Sequence, residues 1–163
     1  MRAKIFYYSL TGNTRRVSQV LAEVLNKNNI DVEIQQVAAL DESSSFFKQG
    51  LRAFFKRKAK IAPIDMDISN FEIICIGSPV WALTVPAGMR TFLDQLQSLK
   101  DKDVIIFVTY GSGVGKDKCI REIATICTSR EAKSIRSISF KDKDTLDKDK
   151  IYESLSKLVK QLL

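Results

Sequence analysis

Residues 5–14 read Ile-Phe-Tyr-Tyr-Ser-Leu-Thr-Gly-Asn-Thr, an apolar run from Ile5 to Tyr8 that breaks into a hydroxyl-rich turn from Ser9 to Thr14. The next segment has helical spacing. Val17, Val20, Leu21, Val24 and Leu25 fall at i, i+3, i+4, i+7 and i+8, so one helical face packs on a sheet while the preceding turn stays open. A strand that feeds a helix through such a turn aims unpaired backbone N–H groups and hydroxyls at one point, where the helix dipole favours an anion. We read the turn as a phosphate cradle. The same residue types also serve an ordinary capped strand-to-helix turn. Arg15 and Arg16, close to the positive helix end, strengthen the anion reading only slightly.

The loop also excludes two phosphate chemistries. Gly12-Asn13-Thr14-Arg15 supplies no Gly-Lys-Ser/Thr, and no G-x-x-x-x-G-K-[ST] occurs elsewhere, so the lysine and magnesium ligand of a nucleoside triphosphatase are missing. The first strand is not followed by G-x-G-x-x-G either. The nearest approach, Gly111-Ser112-Gly113-Val114-Gly115-Lys116, lacks the final glycine of a dinucleotide fingerprint.

With 163 residues, 45% of them hydrophobic, the chain suits one domain, 1–163, with a sizeable core. No apolar stretch approaches the length of a membrane span and the amino-terminal run is too short for a signal segment, so a cytoplasmic location is expected. Three cysteines without a C-x-x-C fit a reducing compartment and packing roles for Cys75, Cys119 and Cys127. The chain contains no histidine, which removes Ser-His and Cys-His pairs and the common histidine metal sites. No metal site is expected, and no side chain is assigned a catalytic role. Chemistry then falls to a bound cofactor or to carboxylate, lysine or tyrosine groups. The formal charge of +7 favours acidic partners or anionic ligands.

Strand-like and helix-like segments alternate from end to end, the pattern of a parallel sheet covered by helices on both faces, an α/β fold. Strands are expected at Ala3–Tyr8, Val32–Gln36, Ile73–Gly77, Asp103–Thr109 and Ser134–Phe140. Helices are expected at Asn13–Asn28, Pro86–Leu99, Lys116–Arg130 and Leu146–Leu163. The first, third and fourth strands are continuously apolar, whereas Val32 and Ile34 alternate with polar residues, as do Ile138 and Phe140. Central parallel strands are buried on both faces, so the second and fifth strands form the edges and the order is 2-1-3-4-5. Ligands of open α/β sheets bind at the strand carboxyl ends beside the reversal, here between strands one and three.

Three unusual loops converge there: the turn Ser9–Thr14, the segment Gly77-Ser78-Pro79-Val80-Trp81-Ala82-Leu83-Thr84 with the only tryptophan, and the glycine-rich Thr109–Gly115. Together they describe a site for a phosphorylated planar cofactor. The T-G-N-T turn, the G-S-P-x-W loop and the glycine-rich third loop occur in the order found in the flavodoxin family, which the whole chain resembles. That resemblance implies a flavodoxin-like three-layer sandwich binding FMN without a covalent link. It implies a phosphate held by Ser9, Thr11, Gly12, Asn13 and Thr14, and a ring stacked on Trp81 and edged by Ser78, Pro79, Val80 and Ala82. Thr109, Tyr110, Gly111, Ser112 and Gly113 would close the other side. A flavin site of this kind leaves electron movement to the cofactor; the protein positions and tunes it. Trp81 and Tyr110 are also accounted for as ordinary buried or half-wet aromatics.

Two departures from the electron-carrying members are visible. Where those often have glycine after the tryptophan, allowing a backbone flip that stabilises the singly reduced flavin, this chain has Ala82, whose Cβ disfavours positive φ. The carriers are also typically acidic around the ring, whereas loops two and three here hold no carboxylate, which predicts a less negative potential for full reduction. Residues 43–62 form a basic amphipathic insertion. Phe46, Phe47, Leu51, Phe54 and Phe55 share one helical face, while Lys48, Arg52, Lys56, Arg57, Lys58 and Lys60 add positive charge. We read it as a helix covering the sheet or the flavin site, ahead of docking to an acidic protein or a membrane surface; no nucleic-acid module accompanies it. The leading expectation is an FMN redox protein passing electrons between a reductase and an acceptor through redox partner proteins. The first alternative is an NAD(P)H-dependent FMN enzyme reducing a quinone or a flavin. The second is a non-redox interaction module using the insertion.

Overall fold

The computed structural model describes residues 1–40 and 58–162. Five parallel strands form one sheet: β1 (Arg2–Tyr7), β2 (Asp31–Gln36), β3 (Ile73–Pro79), β4 (Asp103–Tyr110) and β5 (Ser134–Lys141). Their order is β2-β1-β3-β4-β5, as the burial pattern of the sequence demands. β1, β3 and β4 are buried almost throughout, while β2 has no buried residue and β5 only Phe140, and these two lie at the edges. Four helices are described: α1 (Asn13–Lys27), α2 (Ala87–Gln95), α3 (Lys116–Ser129) and α4 (Lys148–Lys160). A 3-10 turn, Asp142–Leu146, joins β5 to α4.

The helices cover the two sheet faces in pairs. Val17, Leu21, Val24 and Leu25 of α1 and Ile151, Leu155 and Val159 of α4 pack with Ile5, Ile73, Cys75, Ile105 and Phe107. Met89, Phe92 and Leu93 of α2 and Cys119, Ile123 and Cys127 of α3 pack with Phe6, Ile74, Ile76, Val104, Ile106 and Val108. Alternate residues of β1, β3 and β4 thus feed opposite cores, and the stripe predicted for the first helix, Val17, Val20, Leu21, Val24 and Leu25, faces inward.

Two segments differ from expectation. Helix α2 ends at Gln95 rather than Leu99: Leu96 turns extended, Leu99 N–H donates to Arg130 C=O at 2.6 Å, and Lys100 bridges Ala132. Pairing with the chain after α3 therefore overrides the helical periodicity, and Leu96 and Leu99 are buried outside the helix. The basic insertion, 43–62, lies outside the described residues up to 57. Its end, 58–62, is not helical, for Ile61 forms an antiparallel bridge to Ala39 and Ala62 N–H donates to Ala38 C=O at 2.8 Å. Ala59 is buried against α2, its C=O accepting from Thr91 Oγ1 at 2.6 Å.

The chain from 61 to 72 is fastened to the sheet by Lys4 of β1, which is completely buried. Its Nζ donates to Asp65 Oδ2 at 2.7 Å and to the Asp67 carbonyl at 2.9 Å, and pairs with Glu33 Oε1 at 3.1 Å. The ammonium also lies over the rings of Phe6 and Phe71, at 5.5 and 5.2 Å. A buried lysine requires this degree of pairing.

Candidate functional site

The carboxyl ends of β1, β3 and β4 release their three loops side by side. Tyr8 N–H donates to Gly77 C=O at 3.0 Å and Val80 N–H to Thr109 C=O at 2.8 Å, so each loop leaves the sheet already tied to the next. The first and third loops are joined again by a buried hydroxyl pair, Thr14 Oγ1 and Thr109 Oγ1, 2.9 Å apart. The segment after β5 contributes as well. Thr145 Oγ1 of the 3-10 turn lies 3.1 Å from Asn13 Oδ1, which also accepts from Arg16 Nη1 at 2.8 Å.

In the first loop Gly12 takes φ 89° and stands as the residue before α1, with no side chain capping the helix among the described residues. The first intrahelical bond is Arg16 N–H to Gly12 C=O at 3.0 Å, so the N–H groups of the opening turn point out of the helix end without an intrahelical partner. Ser9 Oγ is buried and has no hydrogen-bond partner among the described residues. An orphan hydroxyl at that depth costs about 1–3 kcal/mol, and it fits a ligand oxygen that would satisfy it. A Cβ placed on Gly12 would come no closer than 4.0 Å to anything, its nearest neighbours being guanidinium nitrogens of Arg15 and Arg16. The open side of the loop therefore borders positive charge, which suits a phosphate.

The second loop is a closed two-residue turn. Trp81 N–H donates to Thr84 C=O and Thr84 N–H to Trp81 C=O, both at 2.9 Å. The two central residues, Ala82 and Leu83, have φ 42° and 66°. Positive φ at both centres is the type I′ pattern, which favours Asn-Gly. The expectation that Ala82 avoids positive φ is thus corrected, and the conformation costs on the order of 1–2 kcal/mol per residue. Third-loop packing helps to hold it, since Gly115, at φ 85°, lies directly against the Leu83 backbone where a Cβ would overlap it.

The remaining predicted residues divide into exposed and packed groups. Thr11, Ala82, Gly111 and Ser112 are exposed, and Trp81, Tyr110, Pro79, Val80 and Gly113 are half-buried around the same rim. Tyr110 lies beside Gly113 and under Lys116, whose Nζ is 5.6 Å from the ring centroid. Ser78 faces inward instead: it is fully buried and its hydroxyl donates to the Pro79 carbonyl at 3.0 Å. Thr14 and Thr109 are buried at their mutual contact.

Sequence reasoning missed two carboxylates. Asp142 Oδ2 lies 3.6 Å from where a Cβ on Gly111 would stand, brought there by the 3-10 turn after β5. Glu122 of α3 reaches beneath loop two, where it binds Thr84 and Arg90. Neither lies within the loops themselves, so composition of the loops gave no sign of them. All three thiols are free and buried, and burial pushes those of Cys119 and Cys127 up to about 12, which removes them from nucleophilic chemistry.

Residues 1–145, which span every loop of this site, match the family model for NADPH-dependent FMN reductase. The chain belongs to the NADPH-dependent FMN reductase family. Its cofactor is FMN, and the orphan Ser9 hydroxyl and open helix end fit that group's phosphate. Solved structures share the fold of this FMN reductase family member. A flavoprotein in complex with FMN from Lactobacillus acidophilus NCFM is 21% identical with a TM-score of 0.70, covering 90% of this chain and 97% of that one. A flavodoxin from the domain Archaea is 19% identical with a TM-score of 0.62, covering 98% and 99%. A flavodoxin from Streptococcus pneumonia TIGR4 is 17% identical with a TM-score of 0.58, covering 96% and 98%. Among the described residues no helix is long and apolar enough to cross a membrane.

Proposed function

We propose that the protein is an FMN-dependent reductase that takes electrons from NAD(P)H and delivers them to a small acceptor, a quinone or a free flavin. The observation that carries this reading is the family match over 1–145, because it spans all three loops and reaches into the 3-10 turn beside them. Ser9, Thr11, Gly12, Asn13 and Thr14 hold the phosphate, with Ser9 Oγ and the first N–H groups of α1 as the donors and Arg15 and Arg16 supplying charge at the loop's open side. Asn13 and Thr14 act largely through backbone, since their side chains are engaged by Arg16, Thr145 and Thr109. Trp81, with Pro79, Val80 and Ala82, bounds one side of the ring, and Thr109, Tyr110, Gly111, Ser112 and Gly113 bound the other. Ser78 supports this wall from inside rather than touching the ring. FMN supplies the hydride-accepting and electron-donating ring, and the protein supplies its orientation, its electrostatic surroundings and its exclusion of water.

The second reading is an electron carrier acting between a reductase and an acceptor protein. Leu83 and Val114, 49% and 62% exposed on loops two and three, favour it, because they would seat a partner beside the ring while the basic surface attracts an acidic one. The interaction-module reading rests on residues 43–62, of which 43–57 lie outside the described residues, and gains no support.

A single assay separates the two main readings. Purified FMN-loaded protein is mixed with NADPH and a quinone, with no other protein present, and NADPH absorbance is followed. Steady oxidation supports the reductase; no oxidation until a separate reductase is added supports the carrier.

A further inference from the structure

Beneath the Trp81–Thr84 turn lies a closed network of three side chains from three parts of the chain. Thr84 is buried, donates its hydroxyl proton to Glu122 Oε2 at 2.6 Å and accepts from Arg90 Nη2 at 2.6 Å. Arg90 Nη1 closes the ring on Glu122 Oε1, and Arg90 Nε donates to the Val85 carbonyl at 3.2 Å. Both carboxylate oxygens are therefore occupied, and the threonine hydroxyl is used as donor and acceptor. The Arg90 and Glu122 side chains are only 12% and 22% exposed, so salt and water screen their attraction weakly. Bonds of this charge-assisted kind are about twice as strong as neutral ones.

The turn above the network needs support of that strength. Two consecutive non-glycine residues in the left-handed region relax unless their surroundings over-determine them. Gly115 covers the backbone of Leu83 from one side, and the network fixes Thr84, the residue that closes the turn, from below.

We propose that Thr84, Arg90 and Glu122 are positioning residues that hold Trp81–Thr84 in one backbone state, so that loop two presents bound FMN with the same backbone groups at every oxidation level. The inference rests on the FMN reading above and deepens it. A loop that cannot rearrange adds no hydrogen bond to a singly reduced ring. The two one-electron potentials then lie close together, as suits exchange of electron pairs with a hydride donor such as NAD(P)H.

The test compares wild type with Glu122→Ala, Glu122→Gln and Thr84→Val, the last removing the hydroxyl with almost no change of shape. In the apoprotein, hydrogen exchange of the amide at position 84 reports the turn, because that N–H is bonded to Trp81 C=O. Glu122→Ala and Thr84→Val should speed it roughly tenfold or more, the loss expected for one charge-assisted hydrogen bond, with exchange in β1 unchanged. Glu122→Gln, which keeps the shape and an acceptor for Arg90 but loses the charge and the acceptor for the Thr84 hydroxyl, should restore part of the protection. In the FMN-loaded proteins, anaerobic reductive titration should show little singly reduced flavin in wild type, several-fold more in Glu122→Ala, and a return toward wild type in Glu122→Gln. Equal exchange at position 84 in all four proteins overturns the proposal, as does an unchanged separation of potentials in an FMN-loaded Glu122→Ala. Failure of wild type to take up FMN sinks the cofactor assignment instead, and the exchange rates still decide whether the network holds the turn.

Discussion

Gly113 and Gly115 offer a matched pair of substitutions, because both sit in loop three at nearly the same backbone angle, φ 87° and 85°. Replacing either by alanine incurs the left-handed penalty of about 1–2 kcal/mol, offset by about 0.4–1 kcal/mol from the lost freedom of the unfolded chain. For Gly113→Ala that is the whole effect. The new Cβ meets only the Tyr110 ring edge at 3.6 Å, an ordinary contact, so the cost should be about 1 kcal/mol. For Gly115→Ala the new Cβ overlaps Leu83 Cα and stands 2.7 Å from its carbonyl oxygen, backbone that is already committed to the Trp81–Thr84 turn. Overpacking of that kind adds about 1–3 kcal/mol, for a total near 3 kcal/mol. In a chain of this length 1 kcal/mol shifts Tm by about 2–4 °C, so thermal unfolding of the apoproteins should fall by roughly 3 °C for Gly113→Ala and by about 6–12 °C for Gly115→Ala. FMN must be left out, because ligand linkage would mask the difference. Equal shifts would refute the packing of loop three on loop two that the site depends on.

Ser9→Ala should leave the apoprotein as stable as wild type or slightly more so, since the hydroxyl has no partner among the described residues, yet weaken FMN about tenfold when Trp81 fluorescence is titrated; unchanged affinity would remove Ser9 from the phosphate site. Lys4→Met should cost about 1–3 kcal/mol in denaturant unfolding, because the Asp67 carbonyl and two carboxylates lose their shared donor. The Lys4 hydrogen bond holds the Asp65 carboxyl below its ordinary range, so its contribution is present above the unfolded value of about 3.9 and is lost as pH falls through the lower folded value. Wild type should accordingly lose stability with acidification more steeply than Lys4→Met below about pH 4, and parallel curves would contradict the pairing. Cys119 and Cys127 should resist a thiol-labelling reagent at pH 8 in the folded protein, and all three cysteines should react once it is unfolded. Prompt labelling of the native protein would show that α3 opens readily.

The sheet was legible because burial writes itself into strand composition. Ile73–Ile76 and Val104–Val108 are apolar on both faces and central, whereas Val32 and Ile34 alternate and mark an edge. The turn Ser9–Thr14 and the loop around Trp81 were legible because their residue types are unusual after a buried strand. Long-range arrangements were not. Thr84, Arg90 and Glu122 are scattered over the chain, and on a helix an arginine and a glutamate read as solvated surface until the fold brings them under one turn. Ala82-Leu83 carries none of the glycine or asparagine that announces a type I′ turn, so the left-handed pair becomes visible only with its supports in place. Asp142 reaches Gly111 through a 3-10 turn whose direction no periodicity encodes. The early end of α2 has the same origin, a pairing with residues 130–132 that local propensity cannot anticipate.

The most direct measurement is a titration of the apoprotein with FMN that follows flavin absorbance and the emission of Trp81, the only tryptophan, together. One equivalent should turn the protein yellow and quench Trp81 at the same stoichiometry, with riboflavin binding far more weakly for want of the phosphate. FMN that binds without altering Trp81, or no better than riboflavin, would contradict the assignment of the three loops as its site.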